Sequence, residues 1–206
     1  MATTKIESVS ISEGNIKMGT IKSVSLPAYT TCRHDCECAK ICYAMRGRYT
    51  FDNVKESIER NLRILKNNPD QYWAEVNDAL LLNRYFRFHV SGDIPNRKYL
   101  EKMVEAARKN SATQILCFTK KYELVNKFIA DGNEIPENLH LLFSKWRGLE
   151  MPNPYQLPEA HVFFKDGTTT ASPEAKPCGG HCINCVKKDA GCWTLKRGEQ
   201  VVIIEH

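Results

Sequence analysis

Four cysteines lie within eleven residues near the start of this chain, at positions Cys32, Cys36, Cys38 and Cys42. Cysteines that serve only as small apolar residues of a core have no reason to recur every second to fourth position, so this spacing indicates a ligand loop. Clustered thiolates are soft ligands that select Zn²⁺ or an iron–sulfur cluster. The spacing Cys-x3-Cys-x1-Cys-x3-Cys does not fit the paired Cys-x2-Cys units of common zinc ribbons, which favours iron–sulfur.

A second cysteine group near the end of the chain has the spacing Cys-x3-Cys-x2-Cys-x6-Cys, formed by Cys178, Cys182, Cys185 and Cys192. This spacing suits an iron–sulfur cluster as well as a structural zinc, and it is equally typical of a metal-stapled lid without chemistry of its own. His181 lies inside the group and is either a further ligand or a solvated loop residue. Cys117 stands apart in an apolar run and is expected in the core.

Composition indicates one sizeable domain, or one domain with a small appendage, in a chain of 206 residues. Apolar content of 42% with 26% charged residues is typical of a globular protein, and no apolar run is long enough to span a bilayer. The first residues lack the apolar core of a secretory signal, so we expect a cytoplasmic protein whose cysteines bind metal instead of forming disulfides. The net charge of +5 permits a nucleic-acid partner but supports it only weakly.

Strand and helix patterns alternate along the chain. Six apolar or β-branched runs predict strands at 21–27, 86–90, 115–119, 139–144, 161–164 and 201–204. Helical spacing of apolar residues lies between them, and Asn53 with Glu56 resembles a capping box at the start of one helix. The alternation predicts an α/β fold with mostly parallel strands, namely a partial (β/α)6-type barrel with a C-terminal cysteine-rich lid. We expect residues 1–166 to form the partial barrel and 167–206 the lid and final strand.

Polar residues follow several of the predicted strands at their carboxyl ends, where the chemistry of parallel α/β sheets collects. We expect the cysteine loop and these strand-end residues to line one mouth: Ser91, Gly92, Asp93, Thr119, Lys120 and Ser144. Gly92 would allow close backbone approach to a ligand, and Asp93 would accept a hydrogen bond from it. The alternative is a simple turn in which Asp93 caps the next helix.

The order of a strand, a cysteine loop, a helix and a small-Gly-acid turn resembles the radical S-adenosylmethionine superfamily. In that superfamily three loop cysteines hold a [4Fe-4S] cluster, whose unique iron binds the methionyl group of S-adenosylmethionine. A Gly-Gly-Glu-type turn after the second strand contacts the methionine amino group. The usual triplet there is Cys-x3-Cys-x2-Cys, whereas here Cys38 follows Cys36 after a single residue.

A closer resemblance is to the phage-encoded gene-product-eighty-eight-like family, often described as radical-SAM-like. The matching segments are Lys17-Met18-Gly19, Ser25-Leu26-Pro27, Cys42-Tyr43-Ala44, Arg87 to Asp93, Phe118-Thr119-Lys120 and the group that closes at Cys192-Trp193. This resemblance favours Cys32, Cys38 and Cys42 as principal ligands, with Cys36 as a fourth or spare one.

The resemblance implies one [4Fe-4S] cluster, or two, together with S-adenosylmethionine as cofactor. If the protein is an enzyme, reduction of the first cluster would cleave the cofactor to a 5′-deoxyadenosyl radical that acts on an unknown substrate. A reductant protein such as flavodoxin or ferredoxin is the implied partner. Two other functions stay open: a non-enzymatic iron–sulfur protein for electron transfer or redox sensing, and a zinc-stapled module that binds nucleic acid.

Overall fold

A computed structural model describes residues 7–205 of the protein. The described strands are β1 (Ile11–Ser12), β2 (Lys22–Val24), β3 (Tyr85–Phe88), β4 (Gln114–Thr119), β5 (Leu139–Ser144), β6 (Glu159–Phe163), β7 (Lys176–Pro177) and β8 (Gln200–Ile204). The helices are α1 (Ala28–Thr31), α2 (Asp52–Asn67), α3 (Pro69–Leu81), α4 (Arg97–Lys109), α5 (Tyr122–Ala130) and α6 (Cys182–Lys187). Short 3-10 turns occupy Glu37–Ile41, Tyr43–Met45, Gly47–Thr50 and Gly191–Trp193.

The strands form one sheet in the order β1-β2-β3-β4-β5-β6-β8-β7. All neighbouring pairs are parallel except β1 with β2, which is antiparallel. The predicted α/β class and the mostly parallel sheet are therefore confirmed. The predicted number of six strands is too low, because the sheet has a further two-residue strand at each of its two edges. The sheet is open, with β1 and β7 as its edges, so a barrel is not established.

Helices cover one face of this sheet. In β3, Phe86 and Phe88 point to that face and are fully buried, and Ile115 of β4 lies beside them. The strands from β2 to β6 are neighbours in chain order, and right-handed crossovers between such strands place their helices on the same side. The core of this side is formed with apolar residues of α2, α3, α4 and α5.

The opposite face of the sheet is covered by the segment that carries the second cysteine group. Leu116 and Leu142 of the sheet pack with Trp193 and Leu195 of that segment. The Trp193 ring meets the Tyr85 ring edge-on, with centroids 5.3 Å apart. The predicted boundary between 166 and 167 lies between β6 and β7, and the sheet continues across it through β8. Whether the last forty residues act as a lid stays a prediction.

Two predicted helix caps are wrong. The α2 helix begins after Phe51 without any side-chain cap, so Asn53 and Glu56 do not form a capping box. The α4 helix is capped by Asn96, whose Oδ1 accepts a hydrogen bond from the Tyr99 backbone N–H at 2.9 Å, and Asp93 is therefore not its cap. Within residues 7–205, no helix is both long and apolar enough to cross a membrane.

Candidate functional site

A cavity of about 910 Å³ is lined by residues at the carboxyl ends of the parallel strands and by the sheet face opposite the helices. All but one of the residues predicted for the site line it: Cys32, Cys38, Cys42, Ser91, Gly92, Asp93, Thr119, Lys120, Ser144, Cys178, Cys182, Cys185 and Cys192. The exception is Cys36, which is buried and does not border the cavity. The two cysteine groups, far apart in sequence, thus share one cavity with the strand-end residues.

The first cysteine loop is tied to the sheet at two points. The Arg33 guanidinium donates a hydrogen bond to the Lys120 backbone carbonyl at 3.0 Å, at the end of β4. The Tyr43 hydroxyl donates to the backbone carbonyl of Val90, just beyond β3. Between these ties the chain forms the short 3-10 turn Glu37–Ile41. Tyr43 of the Cys-Tyr-Ala sequence therefore anchors the loop at the strand end.

The four thiols of this loop differ in environment. Burial, together with the nearby Asp93 carboxylate, raises the pKa of Cys32 to about 12. A hydrogen bond between the Cys36 and Cys38 thiols lowers the pKa of Cys36 and raises that of Cys38. In the described part of the chain, no three His, Cys, Asp or Glu side chains are already arranged around a metal position. The match to a metal centre thus rests on donor chemistry: soft thiols of a loop that face a cavity.

Asp93 joins the ends of two strands. Its Oδ1 accepts hydrogen bonds from the Ile94 backbone N–H at 2.7 Å and from Thr119 Oγ1 at 2.6 Å, and its Oδ2 accepts one from the Lys120 backbone N–H at 2.9 Å. Burial raises the pKa of Asp93, while these hydrogen bonds act in the opposite direction. The carboxylate predicted to anchor a ligand is therefore already bonded to three protein groups.

The backbone conformation and the close packing at position 92 require a glycine. It has φ +84°, and a Cβ at this position would lie 2.5 Å from the Leu26 carbonyl oxygen and 2.7 Å from Thr31 Oγ1. The close approach that we predicted for a ligand is thus an approach to the segment leading into the cysteine loop. Ser91 supports the same contact, because its Oγ donates to the Leu26 carbonyl at 3.1 Å.

Three cations that follow β4 and β5 make different contacts. Lys120 Nζ donates to Ser144 Oγ at 2.9 Å and lies 5.9 Å from the centre of the Trp146 ring, so these predicted site residues are in direct contact. Lys145 instead binds the Leu149 carbonyl, and Arg147 pairs with Asp166 at the surface. Lys120 is thus the predicted strand-end cation that borders the cavity.

The second cysteine group is held by β8 and by the turn before β2. The Cys178 backbone N–H donates to the Val202 carbonyl at 2.8 Å, and that of Cys182 donates to the Lys17 carbonyl at 2.8 Å. The Cys185 thiol lies against Gly191, where a Cβ would be 3.0 Å from its sulfur. Burial raises the pKa of Cys192 to about 12, and the neighbouring thiol of Cys178 adds to the effect.

Two further residues, one in β3 and one directly after it, border the cavity. His89 has φ +59°, is buried, and lies 3.0 Å through Nε2 from the Tyr99 hydroxyl. Burial lowers its pKa to about 3. Arg87 faces the cavity from the middle of β3. The sequence feature that could have identified Arg87 is a charged residue between two buried phenylalanines, in a strand that is covered on both faces.

Comparison with protein-family models matches residues 2–191 to the family described as Gene product 88. This range contains every predicted site residue except Cys192. Comparisons with curated proteins and with solved structures found no match.

Proposed function

This chain belongs to the phage gene product 88 family, and from that premise we propose that it is an iron–sulfur protein of radical S-adenosylmethionine type. In this proposal a [4Fe-4S] cluster and S-adenosylmethionine occupy the cavity at the carboxyl ends of the strands, and the protein acts in the cytoplasm. A one-electron donor such as flavodoxin or ferredoxin is its partner. The substrate is not assigned.

One observation carries the proposal. Cys32, Cys38 and Cys42 border the cavity, whereas Cys36 does not. Three thiolates hold three irons of a four-iron cluster and leave the fourth iron for a cofactor, while four thiolates would close the cluster. The arrangement of three cysteines on the cavity thus supports a cofactor-binding cluster over a purely electron-transferring one.

The residues around the cluster would then have separable roles. When bound, the reduced cluster supplies one electron to S-adenosylmethionine. Cys32, Cys38 and Cys42 would hold it, and Lys120 with Ser144 would offer polar contacts to the cofactor. Asp93 would keep the ends of β3 and β4 at fixed distance, because its carboxylate binds groups of both strand ends. Asp93 is thus a positioning residue in this proposal.

The second cysteine group would hold a separate metal centre across the same cavity. Its four thiols are Cys178, Cys182, Cys185 and Cys192, which is a complete ligand set for a four-iron cluster or for zinc. Each is partly buried against the apolar cluster around Trp193. A centre held there is part of the fold as well as of the site, because binding energy at such sites is also folding energy.

Anaerobic purification followed by iron, sulfide and zinc analysis tests the proposal. We expect iron and sulfide in the protein, loss of the visible absorption of the first cluster in Cys42→Ala, and 5′-deoxyadenosine formation from S-adenosylmethionine after reduction. Colourless protein loaded with zinc alone would rule the proposal out and favour a zinc-stapled module. Iron–sulfur protein that binds no S-adenosylmethionine in either redox state would favour electron transfer or redox sensing.

A further inference from the structure

Arg87 carries a positive charge into the cavity from the middle of the sheet. Its residue pairs with Ser23 of β2 and Leu116 of β4, so the backbone is held on both sides. The side chain is on the face that bears the second cysteine segment and borders the cavity. The backbone that carries this guanidinium is held by the sheet and does not belong to a flexible loop.

No protein group neutralises this charge in the described part of the chain. The Nε atom of Arg87 is fully buried and has no hydrogen-bond partner among residues 7–205. Within the same range no carboxylate forms an ion pair with Arg87, whereas Arg33 and Lys120, two of the other cations that line the cavity, have hydrogen-bonded side-chain partners. A buried hydrogen-bond donor of a charged group lowers the stability of the folded protein when it has no partner. The arrangement of Arg87 is therefore unusual.

The surroundings of Arg87 are aromatic and apolar. Its guanidinium lies 4.8 Å from the centre of the Phe118 ring.

We propose that Arg87 binds the carboxylate of an organic acid with an apolar body, and that this acid is the substrate class of the cavity. The inference rests on the proposed function only where it calls this acid a substrate. The binding site itself is inferred from the unpaired guanidinium and the apolar residues around it. A planar guanidinium binds a carboxylate through two parallel N–H···O hydrogen bonds. Phe118, Leu116 and Trp193 would cover the apolar body.

A carboxylate fits this position better than a phosphate. Phosphate sites combine a cation with several backbone N–H groups of a helix N-terminus or a nest. Arg87 lies in mid-strand, where its own backbone and those of its neighbours are used in the sheet. One guanidinium beside an aromatic ring provides the two parallel donors that a carboxylate needs. It provides no further donor for the third oxygen of a phosphate.

The test compares hexanoate with hexanamide, which has the same apolar body but no charge. Saturation-transfer NMR on anaerobically purified protein gives both affinities in the wild type and in Arg87→Met. We expect the wild type to prefer hexanoate by about tenfold or more, since a charge-assisted pair has about that effect on binding. Arg87→Met should bring the ratio close to one. Arg87→Lys should keep part of the preference, because it retains the charge without the paired donors.

Arg84→Met is the matched control. Arg84 lies just before the same strand and stacks on the Tyr85 ring at 5.7 Å, outside the large cavity. The control removes the same charge and should leave the hexanoate preference unchanged. The ratio of two affinities is independent of the folded fraction, so a partly folded variant still reports on the site.

Three results would overturn the inference. Equal affinity of the wild type for hexanoate and hexanamide, or no binding of either, would show that no carboxylate site exists. A loss of preference in Arg84→Met as large as in Arg87→Met would assign the effect to overall charge. Displacement of hexanoate by S-adenosylmethionine would assign Arg87 to the cofactor. Failure of the proposed function is distinguishable, because absence of iron and of S-adenosylmethionine binding leaves the hexanoate ratio measurable.

Discussion

Thr119 Oγ1 donates a hydrogen bond of 2.6 Å to Asp93 Oδ1, which links the ends of two neighbouring strands directly below the cysteine loop. The same carboxylate also accepts the Lys120 and Ile94 backbone N–H groups. Three donor groups are thus positioned by one buried side chain. Any change at Asp93 acts on the fold of the cavity before it acts on a ligand.

Asp93→Asn should lower the free energy of unfolding by about 1 to 3 kcal/mol, the cost of leaving a buried hydrogen-bonding group unmatched. The amide NH₂ cannot accept from a backbone N–H, so at least one of the three bonds is lost. Urea unfolding measures the change. Asp131→Asn, at an exposed carboxylate paired with Arg97, is the control and should change little. Equal stability of Asp93→Asn and the wild type would contradict the assigned role.

Gly92→Ala should be far more destabilising than Gly148→Ala. Both glycines have positive φ, which costs an alanine about 1 to 2 kcal/mol. A Cβ at Gly148 meets nothing within 4 Å, whereas at Gly92 it would clash with the Leu26 carbonyl. The difference between the variants in urea unfolding isolates the clash, and we expect at least about 1 to 3 kcal/mol more for Gly92→Ala. Similar losses in both would show that the segment moves freely.

Cys36→Ser and Cys38→Ser should differ in iron content. Cys38 borders the cavity, whereas Cys36 is buried and does not border it. The serine variant of Cys38 should therefore lose most of the first cluster, while that of Cys36 keeps it. Iron and sulfide per chain, measured after anaerobic purification, give the result. An equal loss in both variants would indicate four ligands and favour electron transfer.

His89 should make stability depend on pH. Burial lowers its pKa to about 3, whereas the unfolded chain binds this proton at about 6.5. Between these values the unfolded state binds more protons, so stability present above pH 6.5 is lost as the pH falls toward 3, by at most about 1.4 kcal/mol per pH unit. Urea unfolding at several pH values measures the slope. His89→Asn, which tolerates the positive φ, should flatten it. An unchanged slope would exclude His89 as the source.

Gly19→Ala should loosen the second cysteine group. A Cβ at Gly19 would lie 2.8 Å from the Ile183 side chain, in the helix that follows Cys182. We expect faster tryptic cleavage near Lys187 and reduced metal in this group. Gly198→Ala, also at positive φ but with nothing within 4 Å, is the control and should retain both properties.

The sheet was predictable because most of its strands lie in apolar or β-branched runs bounded by turn residues. The edge strands β1 and β7 were not, since two residues show no periodicity. The gathering of both cysteine groups with the strand-end residues followed from the parallel topology alone. The contacts of Asp93 did not, because its partner Thr119 is 26 positions away. Arg87 was missed because whether a charge has a partner depends on the folded arrangement.

The contact of His181 with the Ile16 carbonyl joins residues 165 positions apart. A link of such sequence separation closes a loop that spans most of the chain, and contacts of this kind form late in folding. The first cysteine loop depends on shorter links, such as that of Tyr43 to Val90 over 47 positions. We therefore expect ordered maturation: the first group can be shaped before the second has been synthesised, and the second only once both ends of the link from Ile16 to His181 are present.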